Sequence, residues 1–445
     1  MGFSAHLFFV KGGSYFVKNF DDINFKMCKY KMNRIDINVP GESPYSLETP
    51  TLAEIVIDKD FDQYQFPYIR FTVGVSNKFY RAMKKNHDKI TAFVQIRRAF
   101  FQLDKTTGLP TDEASDEANY ISDNFVVFFE DSSPHVTTDF DEAIEESIGQ
   151  FDTNEVDFNN LTTLEMILYK KDDLNKVKQT PMFVYHKANL IDILTHYMKS
   201  CGFRNILCSP PDNNTNKYEE FIIPPLRADE QILRICTDFG MHKYGTTLFF
   251  DFSRIYIINK VNKCTAWYPN EYKTIYIINP PLVKQTSGLV QGCSYEDDKC
   301  GYCTMRDVQT ASRSMEREQV FGSQMKILDK KTGNYETIKP DNTTVLGGGE
   351  SSRVMVSYDG DVSTMDAMKQ RLEEEALVMT VVLDSADLDM LEPNKEYQLV
   401  FMDSKLSKYN AAYRLSKITV SFKRNDKDWY SPTVLATFLG KKPKN

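Results

Sequence analysis

Eight cysteines are scattered over 445 residues, far too thinly to staple a disulfide scaffold. Histidine is also scarce, with six, and tryptophan occurs twice. None of His6, His87, His135, His186, His196 and His242 stands in an H-E-x-x-H arrangement, so the helical zinc-hydrolase signature is missing. There is no G-x-S-x-G elbow for an exposed nucleophilic serine. Gly347-Gly348-Gly349 lacks the following Lys-Ser/Thr of a phosphate loop and reads as turn material. No apolar run approaches the ~20 residues of a membrane helix, and the mean hydropathy is -0.43. The patch Leu7–Val10 is short and has no small-residue cleavage site after it, so a secretory signal is not expected, and Ala5 and His6 fit a myristoylation signal poorly. What remains is an ordinary globular composition, 41% hydrophobic and 26% charged. At ~100–200 residues per domain it has room for two to four domains.

Positive charge is not in excess either. The net charge is -8, which argues against a nucleic-acid coat. The average conceals a block, because residues 112–160 hold 15 Asp or Glu and no Lys or Arg, leaving the rest of the chain at +7. Such a run reads first as a solvated insertion held open by self-repulsion. The sharper reading is a contact surface for a basic partner or a divalent-ion site, although the calcium loop D-x-D-x-D-G is absent.

Few motifs carry chemistry. Cys201 and Cys236 fall on apolar helical positions and read as small core residues. Cys293, Cys300 and Cys303 lie together in GCSYEDDKCGYC. A C-x2-C pair is a genuine zinc-knuckle element, but its downstream partner pair is missing, and only Cys264 or a distant histidine would complete four ligands. Metal, disulfide and plain loop thiols all remain open for these three. Asp359, Asp361 and the run 384–389 (DSADLD) invite comparison with a glycosidase carboxylate pair. Turn and cap chemistry is their plainer use. Arg97-Arg98 makes a poor phosphate patch. His196 reads as a boundary residue, and His242 follows a helix end where an imidazolium is favoured.

The pattern of elements is more informative. Residues 53–58, 68–76 and 90–101 are rich in β-branched and aromatic residues and predict strands, as do 125–129 and 163–170. From Asn189 the period changes. Leu190, Leu194, Tyr197, Met198 and Cys201 form one helical stripe, with Asn189 as N-cap, Asp192 in the first turn and Gly202 as terminator. A second helix over Ile232, Ile235, Cys236 and Phe239 ends at Gly240. TLFFDFSRIYIIN predicts a hairpin about Asp251–Arg254. YKTIYIINPP is a strand, and residues 283–352 read as a long polar excursion. A short helix capped by Ser363 and Asp366 follows. The tail is a β meander. Within it Tyr413 and Leu415 share one phase and Ile418, Val420 and Phe422 the other, which predicts a bulge bending the strand as barrels require. The expected class is α+β, mainly β.

One resemblance sharpens this. The helix 189–202, Ser209-Pro210-Pro211-Asp212, Phe221-Ile222-Ile223-Pro224-Pro225, the second helix, Tyr244-Gly245-Thr246 and FFDFSRIYII follow one another in a way that resembles the central hub proteins at the distal end of bacteriophage tails. Leu391-Glu392-Pro393-Asn394-Lys395-Glu396-Tyr397 and Tyr409-Asn410-Ala411-Ala412-Tyr413-Arg414-Leu415 are similar to the second tube-like barrel of such hubs. The resemblance implies two tube-protein-like β-barrel domains, at 1–180 with the acidic insertion 112–160 and at 272–445 with the excursion 283–352. A helix-plus-hairpin middle at 181–271 joins them. It implies a homotrimer fitting a sixfold tail tube, or distal tail protein, to a threefold central spike, with wedge proteins and a tape measure as further partners. DNA would pass through a neutral or acidic channel without specific binding. It also implies a virion protein assembled in the bacterial cytoplasm, with no membrane anchor, no cofactor, no metal and no catalytic residue. A tube terminator or wedge protein, a cell-wall glycan hydrolase with paired carboxylates, and an unrelated β-rich binding protein are the competing readings.

Overall fold

The computed structural model describes residues 8–10, 13–15, 23–47, 54–62, 66–104, 107, 109–131, 161–211, 217–237, 241–242, 246–259, 273–278, 292–295, 300–312, 323–328, 335–338, 351–356, 375–393, 396–401, 403–424 and 429–443. Its first part contains β1 (Phe8–Val10), β2 (Gly13–Tyr15), β3 (Lys26–Asn38), β4 (Tyr45–Leu47), β5 (Glu54–Asp60), β6 (Tyr68–Ser76), helix α1 (Asn77–Lys85), β7 (Thr91–Leu103), β8 (Pro110–Asp131) and β9 (Leu161–Lys170). The middle part holds α2 (Lys171–Val177), β10 (Phe183–Ala188), α3 (Leu190–Ser200), β11 (Ile206–Cys208), β12 (Tyr218–Ile223), α4 (Ala228–Thr237), β13 (Thr246–Phe250) and β14 (Ile255–Asn259). The last part runs through β15 (Lys273–Ile278), β16 (Cys293–Tyr295), β17 (Cys300–Ser312), β18 (Ser323–Leu328), β19 (Tyr335–Ile338), β20 (Ser351–Val356), β21 (Leu377–Asp384), β22 (Glu396–Phe401), β23 (Ala411–Arg424) and β24 (Tyr430–Gly440).

The fold is mainly β, and most of it is one 14-stranded sheet. Its ladders return on themselves twice. One circuit runs β3-β7-β8-β9-β6-β5-β23-β24 and comes back to β3 where Tyr430 faces Tyr30. The other runs β15-β22-β23-β24-β21-β17 and returns to β15 in parallel. The hairpin β23–β24 belongs to both, and β16 bridges β17 to β3. Along one edge of β23, Ala411–Arg414 pair with β22, whereas Lys417–Lys423 pair with β5. Between these stretches the register against β24 shifts, at Leu415/Lys417. This is the bulge that the phase change in YRLSKITVSF predicts. An extra residue lets one strand leave one partner and take another without exposing an edge.

A buried ion triad marks the changeover. Arg414 donates to Glu375 at 2.9 Å and to Asp62, and Ser416 also donates to Asp62. The side chains of Arg414 and Glu375 are only 7% and 4% exposed. Ser416 O accepts the Phe61 N–H at 2.8 Å. The triad thus fastens the end of β5 to the bulge.

Inward faces alternate as half-buried strands should. In β6, Ile69, Phe71, Val73 and Val75 are buried while Arg70 and Thr72 face out. One continuous core includes residues of both circuits, with Tyr30 wedged edge-on between Tyr120 and Phe422 and Tyr397 against Phe438. The middle part has its own core. There Asn189 caps α3 by accepting the Asp192 N–H at 3.0 Å, and Gly202 leaves the helix with φ +85°, a turn that favours glycine. The ribbon β10–β12 and the sheet β11-β14-β13 pack around α3 and α4.

Two expectations change. The first half of the acidic block belongs to β8, a 22-residue strand paired with β7, and its residues 112–119 are exposed apart from half-buried Ser115. Its acids find cations on neighbouring strands, as Glu117 meets Arg97 at 3.0 Å, Asp123 meets Lys170 at 2.8 Å and Asp116 meets Lys26 at 3.7 Å. Three of its acids thus meet cations from other strands, which local sequence cannot show. Residues 132–160 lie outside the described residues. The polar excursion 283–352 likewise contributes β16 and β17 to the main sheet and a separate three-stranded sheet, β19-β18-β20. The helix expected after Ser363, and Asp359 and Asp361, lie outside the described residues.

Replacing Arg414 by Met strands Glu375 as a buried, uncompensated charge. The expected loss is about 3–5 kcal/mol in urea unfolding. The double variant Arg414→Met/Glu375→Leu should recover part of it, and a single variant as stable as the parent would remove the triad from its fastening role.

Candidate functional site

At the seam where β3 and β7 meet β16 lies a cavity of about 500 Å³. It forms because chain segments far apart in sequence converge. Arg98 comes from β7, Tyr295 ends β16, and Asp387 and Asp389 sit on the short 3-10 turn Leu388–Met390 after β21. Asp387 caps that turn and accepts from Arg98 at 2.9 Å, from the Tyr295 hydroxyl at 2.5 Å and from the Asp389 N–H at 3.2 Å. Tyr30 adds a further tie, its hydroxyl accepting the Leu388 N–H at 3.1 Å. Arg98 also pairs with Asp389. Burial and the Asp387 carboxylate together hold the Tyr295 phenol well above its usual range. Burial opposes the charge of Arg98, but the two aspartates outweigh it and keep the guanidinium firmly protonated.

This arrangement clasps. A carboxylate pair that works on a glycoside needs one acid free to give its proton and one oxygen free to attack or take one. Asp387 has three donors on it. Asp384 is held by Arg306 at 3.0 and 2.7 Å, with Thr433 at 3.4 Å. Within DSADLD, Asp387 thus does cap work, while Asp384 is tied in an ion pair with Arg306. Arg98, half of the supposed poor phosphate patch, is the centre of the clasp.

Cys293 and Cys303 face one another across β16 and β17 as buried free thiols. Cys303 points its S–H at the Met390 sulfur, 3.2 Å away. Burial pushes the Cys293 thiol well up, which makes it inert. They are strand residues of the sheet, not loop thiols. Cys300 opens β17, and Cys264 lies outside the described residues. Among the described residues no group of three or more His, Cys, Asp or Glu is disposed to hold a metal. His196 is a boundary residue, bonded through Nδ1 to the Tyr185 hydroxyl at 3.0 Å. His242 is buried, with Nδ1 2.9 Å from Thr246 Oγ1 and Nε2 3.1 Å from Ser209 O. It locks a turn and does not sit at an open helix end.

A second junction seats the middle part on the first circuit. The tip of the hairpin β13–β14 carries three aromatic contacts, Phe249 on Phe61 at 4.7 Å, Phe250 on Phe66 at 4.8 Å and Phe252 on Phe125 at 5.9 Å. Asp251, at the tip, meets Lys59 of β5 at 2.8 Å with both side chains about 12% exposed or less. Burial pulls the Lys59 ammonium down, but Asp251 more than reverses this and keeps the ammonium charged. Burial pushes the neighbouring Tyr120 phenol up to about 12. Lys170 donates to Phe252 O. The hairpin was legible in sequence. Lys59, Tyr295 and the triad Asp62–Glu375–Arg414 were not, because no local spacing announces partners that lie 39, 92 or 352 residues away.

A family model described as the bacteriophage PBS1 gene 109 protein matches residues 48–435. Among solved structures, the chain is similar to a tail protein from Neisseria meningitidis MC58, at 10% identity and TM-score 0.46, over 92% of this chain and 96% of that one. It is also similar to the 43 kDa tail protein of prophage MuSo2 from Shewanella oneidensis, at 11% identity and TM-score 0.42, over 90% and 96%. A third is the prophage tail protein gp18 from Listeria monocytogenes EGD-e, at 10% identity and TM-score 0.37, over 91% and 94%. No curated protein is similar enough in sequence to count as a relative.

Close to the second junction, Asp173 on α2 is buried, and that burial raises its carboxyl from 3.8 to about 6 against the pull of Lys170 and Lys176. The folded state thus holds this proton more tightly than the unfolded chain does. Its stability falls as pH rises from 3.8 through about 6 and stays reduced above that. Asp173→Asn removes the penalty. In urea unfolding at about pH 7.5 the variant should be more stable by up to ~3 kcal/mol, with the gain vanishing near about pH 4. A gain independent of pH would assign it to packing instead.

Proposed function

The chain belongs to the bacteriophage PBS1 gene 109 protein family, and from that premise we propose that it is a structural protein of the phage tail, the central hub of the baseplate. In this reading three copies form a ring. Each contributes two tube-like barrel units, one built on residues 1–180 and closed by β23–β24, the other on 272–445, with the middle part 181–271 docked beside them. Six barrels from three chains meet a sixfold tube on one side and a threefold spike on the other. The observation that carries the reading is the pair of closed strand circuits fused through β23–β24. Closure leaves few strand edges open to stray pairing. Sharing one hairpin fixes the two circuits against each other, as a symmetry adapter must.

The clasp at Arg98 and the docked hairpin at Lys59–Asp251 fit a part whose work is to keep its shape under load. The protein acts through interface and geometry, without a covalent step. Its channel wall is neutral or acidic, so that DNA slides through without being held.

Native mass spectrometry of the purified protein, alone and with its spike partner, should give a trimer. Cryo-electron microscopy of the particle should place three copies between tube and spike. A lone monomer with the spike present overturns the hub, and six copies at the other end of the tube would make it a terminator. In a peptidoglycan gel no cleared zone is expected. A cleared zone lost on Asp384→Asn would replace this reading with a hydrolase.

A further inference from the structure

The strand that bridges the two circuits is short. β16 has three residues, pairs with β17 along its length, and meets β3 through Cys293 against Lys26. Gly292, just before it, lies so close to β3 that a Cβ there would clash with Lys26 O. On its other side Cys293 stands directly across from Cys303. The neighbouring pair is hydrogen-bonded, with the Thr304 N–H donating to Gly292 O at 3.0 Å. Antiparallel ladders alternate, so Cys293 and Cys303 form a non-hydrogen-bonded pair, whose Cα atoms are ~4.5 Å apart. Their side chains leave the same face of the sheet. A disulfide spans ~4.4–6.8 Å between Cα atoms. Side-chain rotation thus suffices to join the two sulfurs, with both strands left in place.

Both residues are reduced thiols and each is 1% exposed. The Cys303 S–H points at the Met390 sulfur, a weak bond to give up. Cys293 lines the cavity beside Arg98 and Tyr295, so a reagent from solvent meets it first. Burial raises the Cys293 thiol, and nearby Cys303 raises it further. While the sheet is closed, that keeps the pair protonated and unreactive. Reaction waits on β16 lifting, a local opening that its short ladder makes easier than any opening of the 13-residue strand β17.

We propose that Cys293 and Cys303 are a redox pair, two thiols in a reducing compartment and a cross-strand disulfide in an oxidising one. The oxidant is a small disulfide such as oxidised glutathione. The Cys293 thiolate attacks one of its sulfurs and expels one glutathione. The Cys303 thiolate then attacks Cys293 Sγ and expels the other. One S–S bond breaks, one forms, and the two protein protons end on the two released thiols. Being at the short end of the Cα range, the bond is strained and is reduced more readily than a relaxed one. Closed, it rivets β16 to β17 beside the Arg98 clasp. The chemistry stands on strand register alone. Its timing rests on the tail reading, since a tail protein is made in a reducing cell and works outside it.

The test uses the folded full-length chain in glutathione buffers running from mostly reduced to mostly oxidised, with sub-denaturing urea to let β16 open. After alkylation, tryptic cleavage at Lys299 separates the two cysteines. The oxidised samples should give linked peptides, with fragmentation placing the bond at Cys303 and not at Cys300. The oxidised chain should also unfold at higher urea than the reduced one. Cys293→Ala/Cys303→Ala should abolish that difference, and Cys28→Ala should keep it. A bond to Cys28 or Cys300 overturns the pairing, as do thiols that stay alkylatable at every glutathione ratio. A bond that forms only in the urea-unfolded chain overturns the part played by the ladder. A bond that closes in a chain absent from purified tails upholds the redox pair and defeats the tail reading.

Discussion

Every strand edge in a large sheet must be paired, covered or charged, and in this protein that requirement falls mostly on one hairpin. β23–β24 supplies a wall to each of two closed circuits. It does so because β23 is bulged at Leu415/Lys417, giving Ala411–Arg414 to β22 and Lys417–Lys423 to β5. The bulge costs ladder hydrogen bonds where the partner changes. Side chains make good the loss, with Arg414 bridging Asp62 and Glu375 and Ser416 joining the same carboxylate. A buried ion triad is seldom worth more than a well-packed apolar replacement. Here its value is positional, since it fixes where one circuit ends and the other begins.

The other junctions use the same device. Arg98 clasps the turn at Asp387 and Asp389, and Lys59 meets Asp251 at the tip of an aromatic hairpin. At each one a cation from the first circuit is held by carboxylates from a distant segment, beside large aromatic rings. The rings supply buried area, and the charges supply register, because an aromatic contact tolerates sliding while a desolvated ion pair does not. The result is three chain regions locked into a single mechanical unit. Such ties suit a member of a phage family proposed to stand between parts of unlike symmetry.

Much of this was readable from local pattern. The α3 stripe with Asn189 and Gly202, the hairpin at Asp251–Arg254 and the bulge in β23 follow from period, capping and phase, which are properties of neighbours in sequence. The acidic run was legible only in part, for the complementary reason. Residues of β8 look self-repelling in isolation, yet Arg97 and Lys170 reach them from adjacent strands and Lys26 from β3, one strand further on. The cysteines of the supposed loop became strand residues because β16 and β17 gain their ladder from β3, β15 and β21.

The amino-acid order by itself determined the class, mainly β with a helical middle, the caps and turns, and the absence of recognisable catalytic spacing, because each is written within about ten residues of chain. Only the tertiary structure decided that the strands close into two circuits through a shared hairpin. It alone paired Arg414 with Asp62 and Glu375, and Arg98 with Asp387. Charge and shape complementarity between segments hundreds of residues apart leaves no periodic trace in either one, so it becomes visible only when folding brings them together.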